Sequence, residues 1–223
     1  MTVSLVLPTR NEAGGLERLL SSARPHCDEL IVVDGHSSDG TAEIARAAGA
    51  VLRLDRGLGK GDAYQVGIEA ASCEIVVFMD ADGSHDPADI ARLVEPIVRG
   101  EADCVIASRH RGGSDEWEGD VSTWLRAMGS GFLSVVINRR WGSRLTDVLN
   151  GFRAVRREVA RKVPLRAVDF DVEQHMICQY LRHGYRVSEV GCHEYRRGWG
   201  QSKLPTYRKA YLFFSRLALD MLP

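Results

Sequence analysis

Short apolar runs that each end in a polar cluster recur through the first half of this chain and leave few folds open to it. Val3-Ser4-Leu5-Val6-Leu7 leads into Pro8-Thr9-Arg10-Asn11-Glu12. Leu30–Val33 leads into Asp34-Gly35-His36, and Ile75–Met79 into Asp80-Ala81-Asp82. Further strands are expected at Val51–Leu54 and Cys104–Ala107, and helices at Ala13–Ala23, Thr41–Ala48, Asp62–Ala71 and Ala88–Val98. Strands alternating with helices predict an α/β fold, a mostly parallel sheet covered on both faces. Parallel strands end on one edge, where open α/β sheets bind ligands. The polar clusters should therefore meet there.

After Arg109 the rhythm changes. Arg111-Gly112-Gly113-Ser114-Asp115-Glu116 reads as a mobile loop, followed by a helix over Val121–Arg139. A strand over Gly151–Val155, a helix over Phe170–His183, a strand over Arg186–Val190, a loop over Arg196–Thr206 and a helix over Tyr207–Leu222 complete the chain. The expectation is one unit over 1–223, with a ligand-binding half (1–108) and a half (109–223) that adds a helical extension.

A chain of 223 residues with 44% apolar and 26% charged residues can build a good core. Its formal charge of −1 gives no sign of a nucleic-acid partner. Basic residues nevertheless crowd the second half. From Arg139 to Arg166 the only acidic residues are Asp147 and Glu158, and from Arg196 to Arg216 there are none. Such a surface suits phosphate or an anionic membrane, or is a set of solvated helix faces. The five cysteines are scattered, with no CxxC pair, and Cys73, Cys104 and Cys178 fit core positions. No signal peptide or membrane-length apolar stretch is visible. The expected place is the cytoplasm, with peripheral contact at the inner face of a membrane left open.

Two carboxylates one residue apart at a strand end suit a hard divalent cation that also grips phosphate oxygens. Asp82 is the expected direct ligand, with Asp80 on a ribose, a sugar or metal-bound water, and Mg²⁺ or Mn²⁺ as the ion. The plain alternative is a solvated acidic turn. Gly59-Lys60-Gly61 offers permissive backbone and one cation to a phosphate or sugar, or is an exposed turn. His85 is expected to be solvated beside Asp86. Arg126 and Ser130 lie one helical turn apart and could grip one phosphate.

Taken in order, these clusters resemble the nucleotide-sugar-binding half of family 2 glycosyltransferases, whose Rossmann-like fold is GT-A. Ala107-Ser108-Arg109, Asp147–Arg153 and Arg197–Leu204 narrow the likeness to the dolichol-phosphate mannose synthase and polyprenyl-phosphate hexosyltransferase group. The resemblance runs from about Val3 to about Leu204. It assigns Pro8, Asn11, Glu12 and Asp34 to the nucleoside of a GDP- or UDP-sugar donor, and Arg197 and Lys203 of the Arg-x-x-Gly-x-Ser-Lys loop to the diphosphate, as a lid. It places Arg109, Arg126 and Ser130 at a lipid-linked phosphate acceptor. Asp147-Val148-Leu149-Asn150-Gly151-Phe152-Arg153 is similar to the family's Asp-x-x-Ser-Gly-Phe-Arg element, with Asn150 in place of Ser. Asp147 could be a base, orient Arg153 or line the sugar pocket. Some relatives carry Gln where this chain has Ser84, which leaves Ser84 or water to complete the metal's shell. Trp199 could touch sugar or lipid, or simply pack.

The implied reaction moves a hexose, mannose or glucose, to polyprenyl or dolichyl phosphate with inversion. The alternatives are transfer to an alcohol, a non-catalytic nucleotide-sugar-binding subunit and a nucleotidyltransferase. The last lacks its glycine-rich first loop here. The oligomeric state is not legible.

Overall fold

The computed structural model describes residues 1–115, 121–200 and 206–222, with 121–128 and 206–210 described as backbone only. Its centre is a seven-stranded sheet in the order β3-β2-β1-β4-β6-β5-β7. The strands are β1 (Val3–Thr9), β2 (Glu29–Asp34), β3 (Val51–Leu54), β4 (Ile75–Phe78), β5 (Cys104–Ser108), β6 (Arg153–Arg156) and β7 (Val187–Gly191). All are parallel except β6, which runs antiparallel between β4 and β5.

The helices are α1 (Ala13–Ala23), α2 (Thr41–Ala47), α3 (Lys60–Ala70), α4 (Ile90–Val98), α5 (Arg109–Gly112), α6 (Val121–Trp141), α7 (Arg157–Lys162), α8 (Val172–Arg182) and α9 (Thr206–Met221). The expected strands and helices of the first half appear within two residues of their predicted ends. The sequence reading lacked the short helices α5 and α7.

Side chains alternate across a strand, and the two cores follow that alternation. Val6, Ile31, Val33 and Phe78 face α3 and α8, where Tyr64 stacks on Phe78 at 4.1 Å between ring centroids. Leu5, Leu7, Val32 and Val77 face α1 and α4, against Leu16, Leu20, Leu93 and Ile97. Gly67 brings α3 close to β1: a Cβ there would lie 2.4 Å from Val6.

The reversal of β6 matters for position. Because it runs backwards, β6 begins at the edge where β4 and β5 end, with Arg153 opposite Phe78 and Ile106. The Asp147–Gly151 segment that feeds it is therefore delivered to the C-terminal edge of the parallel strands.

The C-terminal half of α9 is bolted to α8. Arg216 Nε donates to Asp171 at 2.7 Å, and Gln174 Nε2 to the Phe213 carbonyl at 3.0 Å. His175 Nε2 accepts the Arg166 N–H, so Nδ1 carries the proton and donates to Asp220 at 2.7 Å. Leu217 is buried. The cysteines are free, and Cys104, Cys178 and Cys192 are buried. Among the described residues, no helix is long and apolar enough to cross a membrane.

Candidate active site

The loops after β1 and β2 zip together. Asn11 adopts φ 53°, donates its N–H to Ser37 Oγ at 2.8 Å and accepts from the Ser38 N–H at 2.9 Å. Glu12 is buried at the start of α1, its N–H on Thr41 Oγ1, and the Asp39 carboxylate takes the Ala13 N–H. Neither Thr9 nor Asn11 caps α1, whose N-cap is Glu12 with no side-chain cap hydrogen bond. Pro8 lies in β1 beside Val33. Asp34 is buried and accepts from both the N–H and the hydroxyl of Ser37, so it shapes its own turn.

Beyond β4, each carboxylate of the Asp80-Ala81-Asp82 pair has its own cation. Lys60 Nζ lies 2.6 Å from Asp80 Oδ1 and 2.7 Å from Glu173 Oε1. Burial pushes the Asp80 carboxyl up, but the Lys60 ammonium outweighs it and holds the group below its ordinary value. Burial likewise lowers Lys60, and Asp80 and Glu173 outweigh that, leaving it well above its ordinary value. Gly59 and Gly61 serve the chain's own packing. A Cβ at Gly61 would meet the Ala167 carbonyl at 2.3 Å and one at Gly59 the Val168 carbonyl at 2.7 Å. Close packing on the Ala167–Val168 backbone accounts for both glycines.

Asp82 Oδ1 accepts from the Ser84 N–H at 3.0 Å and the Ser84 hydroxyl at 2.6 Å, so Ser84 orients the carboxylate. Asp82 Oδ2 faces Arg197 Nη2 at 2.8 Å, and Arg197 Nη1 is 3.9 Å from Glu12 Oε1. The loop carrying Arg197 lies on the strand ends. Tyr195 N–H donates to the Ser84 carbonyl and Gly198 N–H to the Asp82 carbonyl. Trp199 packs: its indole N–H donates to the Ala81 carbonyl at 3.0 Å. The ring sits where a Cβ at Gly15 or Gly83 would intrude, at 2.0 and 2.6 Å. Lys203 lies outside the described residues.

A second cluster follows β5. Arg109 donates to Asp147 three times, from Nε at 2.6 Å, Nη2 at 2.8 Å and its backbone N–H at 3.1 Å. Asp147 is fully buried, which would raise its pKa. Arg109 outweighs burial and keeps the carboxyl below its ordinary value. Glu189 of β7 takes the N–H groups of Thr146 and Asp147 at 2.6 and 2.8 Å, and Glu194 lies 3.5 Å from Arg109 Nη1. Asp147 therefore orients Arg109 and not Arg153. The buried Arg153 donates to the carbonyls of Val148, Asn150 and Glu173.

The expected mobile loop is tethered where it is described. Asp115 pairs with His193 at 2.8 Å, and Ser114 Oγ with Glu194 at 2.7 Å. Glu116 is outside the described residues. Ser130 of α6 is buried, and its hydroxyl has no hydrogen-bond partner among the described residues. One turn on, Ser134 Oγ reaches the Thr146 carbonyl at 3.3 Å, which brings this helix beside the Arg109–Asp147 pair. Arg126 lies on the same helix, one turn before Ser130, in the part described as backbone only.

His85 is buried, not solvated, 5.0 Å from the Phe152 ring, and burial pushes its pKa down. It lies within electrostatic reach of Asp80, Asp82, Glu194 and Arg109, which makes the two clusters neighbours. Sequence reasoning missed Glu173, Glu189 and Glu194, the carboxylates that hold Lys60, the Asp147 segment and Arg109.

Among the described residues, no group of three or more His, Cys, Asp or Glu side chains could hold a metal by itself. Mg²⁺ needs fewer, since it keeps waters and shares one or two carboxylates with substrate phosphates. An oxygen donor set that already holds a cationic group, as Asp82 holds Arg197, fits such an ion.

The family model described as Glycosyl transferase family 2 matches residues 4–163. The chain is 33% identical to an undecaprenyl-phosphate mannosyltransferase of Micrococcus luteus, over 92% of this chain and 88% of that one. It is 30% identical to a polyprenol monophosphomannose synthase of Mycolicibacterium smegmatis, over 90% and 80%. Glucosyl-3-phosphoglycerate synthase of Mycobacterium tuberculosis, solved with Mn²⁺, UDP-glucose and phosphoglyceric acid, superposes with a TM-score of 0.78 at 27% identity. That match covers 100% of this chain and 80% of that one. Sheet, strand-end carboxylates and relatives agree: this chain is a GT-A glycosyltransferase and belongs to glycosyl transferase family 2.

Proposed function

We propose that this enzyme moves a hexose from a nucleoside diphosphate sugar to a polyprenyl phosphate, with Mg²⁺ or Mn²⁺ at Asp82. The observation that carries the choice of acceptor is Asp147. Both of its oxygens are engaged by Arg109, and its pKa is held down, so the best-placed carboxylate is a poor general base. An alcohol needs such a base. A phosphate monoester, with a second pKa near 6, is already mostly dianionic at neutral pH. It needs cations and donors to hold it in line. Arg126, the Ser130 hydroxyl and the Arg109 cluster are the groups assigned to that work.

On the donor side, Pro8, Asn11, Glu12 and Asp34 frame the nucleoside. Arg197 and Lys203 serve the diphosphate, and Lys60 holds Asp80 toward the sugar. A bound divalent ion would supply Lewis-acid stabilisation of the leaving diphosphate. One unit over 1–223, donor half 1–108 and acceptor half 109–223, would carry the reaction, with inversion at the anomeric carbon.

Peripheral membrane contact fits the exposed Phe132 and Val135 of α6 and Tyr211 and Phe214 of α9; the Phe132 and Phe214 rings are 6.1 Å apart. Arg216 is paired with Asp171 and faces the protein.

The test is a screen of radiolabelled GDP- and UDP-linked mannose and glucose against short-chain polyprenyl phosphate, polyprenol and 3-phosphoglycerate, with and without EDTA. Transfer to polyprenyl phosphate that stops in EDTA is expected. Transfer to polyprenol or 3-phosphoglycerate alone would replace this reading with an alcohol acceptor.

A further inference from the structure

The two carboxylates after β4 differ in how firmly they hold their cations. Lys60 is enclosed, with contacts of 2.6 and 2.7 Å to two carboxylates, and its side chain is 14% exposed. Arg197 has one short contact, to Asp82 Oδ2, and a long one of 3.9 Å to Glu12; its side chain is 29% exposed.

Asp82 Oδ1 is filled by Ser84, and Oδ2 holds Arg197. Its Oδ1 takes two donors from Ser84, one of them a backbone N–H that cannot turn away without moving the loop. A divalent ion entering at Oδ2 brings its charge against the guanidinium on the same oxygen, and Arg197 is the partner that can go. The loop backbone need not move. The Gly198 N–H on the Asp82 carbonyl and the Trp199 indole N–H on the Ala81 carbonyl pin it on either side of the carboxylate. The flat indole is seated over Gly15 and Gly83. Arg197 is thus a long side chain on a fixed mount.

We propose that Arg197 is an exchange cation: it occupies Asp82 until a divalent ion arrives with a nucleoside diphosphate, then passes to the diphosphate. This deepens the metal–diphosphate reading above and rests on it. Metal alone must break the Arg197–Asp82 contact and leave the guanidinium only the long 3.9 Å pairing with Glu12. Metal with nucleotide exchanges one charge-assisted pairing for another. Metal and nucleotide should therefore bind with strong positive coupling, and by linkage each helps the other by the same factor.

The test needs no turnover. Mn²⁺ affinity is measured by electron paramagnetic resonance for the wild type, Arg197→Gln and Arg197→Lys, with and without UDP and GDP. Nucleotide affinity is measured by calorimetry. Arg197→Gln should bind Mn²⁺ alone about tenfold or more tighter than the wild type, the scale of one charge-assisted hydrogen bond. It should bind nucleotide more weakly and lose most of the coupling. Arg197→Lys, which keeps a cation on the mount, should return toward wild-type behaviour. A gain in metal affinity cannot come from misfolding.

Unchanged or weaker binding of Mn²⁺ alone by Arg197→Gln, with Mn²⁺ and nucleotide still binding together to the wild type, would overturn the exchange and leave the metal site standing. Absence of Mn²⁺ binding to any form, with or without nucleotide, would overturn both.

Discussion

Replacing Asp147 with Asn separates its two possible uses. Asp147 is fully buried and receives three hydrogen bonds from Arg109. Asn keeps the shape but turns one acceptor oxygen into an NH₂ facing a guanidinium. Breaking a buried ion pair on one side costs about 3–5 kcal/mol. The Arg109 side chain is 25% exposed, so water can partly rehydrate it, and the low end, about 3 kcal/mol, applies. In a chain of this size each kcal/mol moves Tm by about 2–4 °C, so a fall of about 6–12 °C is expected at pH 7. Because the folded pKa of Asp147 lies below its ordinary 3.8, its contribution is complete above that value and is lost as pH falls through the folded one. The gap between the proteins should therefore close at acid pH. Differential scanning fluorimetry with urea melts measures the stability, and initial rates well below the variant's Tm measure turnover. If Asp147 only positions Arg109, kcat should fall by less than about tenfold, and the pH–rate profile should keep its shape. A Tm within about 2 °C of the wild type, with kcat down 100-fold or more and the acid limb lost, would show that Asp147 is the base and refute the reasoning.

Glu173→Gln leaves Lys60 with Asp80 alone. Lys60 is held above its ordinary 10.5, so its contribution is complete below that value and lost as pH rises through the folded one. The alkaline unfolding limb of the variant should begin at lower pH, as read by circular dichroism, and an unmoved limb would deny Glu173 this role. Arg126→Ala should raise the KM for polyprenyl phosphate and leave nucleotide affinity unchanged; calorimetry giving the reverse would assign Arg126 to the donor. Phe132→Ser combined with Phe214→Ser should cut co-sedimentation with anionic vesicles by about tenfold or more, given two exposed aromatic rings that bury apolar area. Equal binding by a folded variant would clear this face of membrane contact.

The first half of the fold was legible because local signals agree. Apolar runs such as Leu30–Val33 and Ile75–Met79 are strands by length and composition, and the helices between them carry their own periodicity. The place of β6 was not legible. Arg153–Arg156 reads as a short strand, but its insertion backwards between β4 and β5 depends on non-local pairing. That one reversal brings Asp147 to the C-terminal edge of the parallel strands. The grouping of polar residues was legible where they follow a strand, as for Asp82 after β4 and Arg109 after β5. It was illegible where a charge is held from afar. Glu173 is buried in a helix beside Val172, Met176 and Ile177 but also Gln174 and His175, and its partner Lys60 is far away in sequence. A glutamate beside those apolar residues was the available signal. His85 looked solvated because Asp86 follows it, yet the turn after Asp82 folds it under the site. The packing of Gly59 and Gly61 on the Ala167–Val168 backbone was not legible, because those contacts are far away in sequence.

The most direct test of phosphate as the acceptor is the ³¹P spectrum of a short-chain polyprenyl phosphate incubated with enzyme, Mn²⁺ and the preferred nucleotide sugar. The expected result is loss of the monoester signal and growth of a diester signal, in step with release of nucleoside diphosphate. Sugar transfer to a hydroxyl group with the monoester signal unchanged would contradict it.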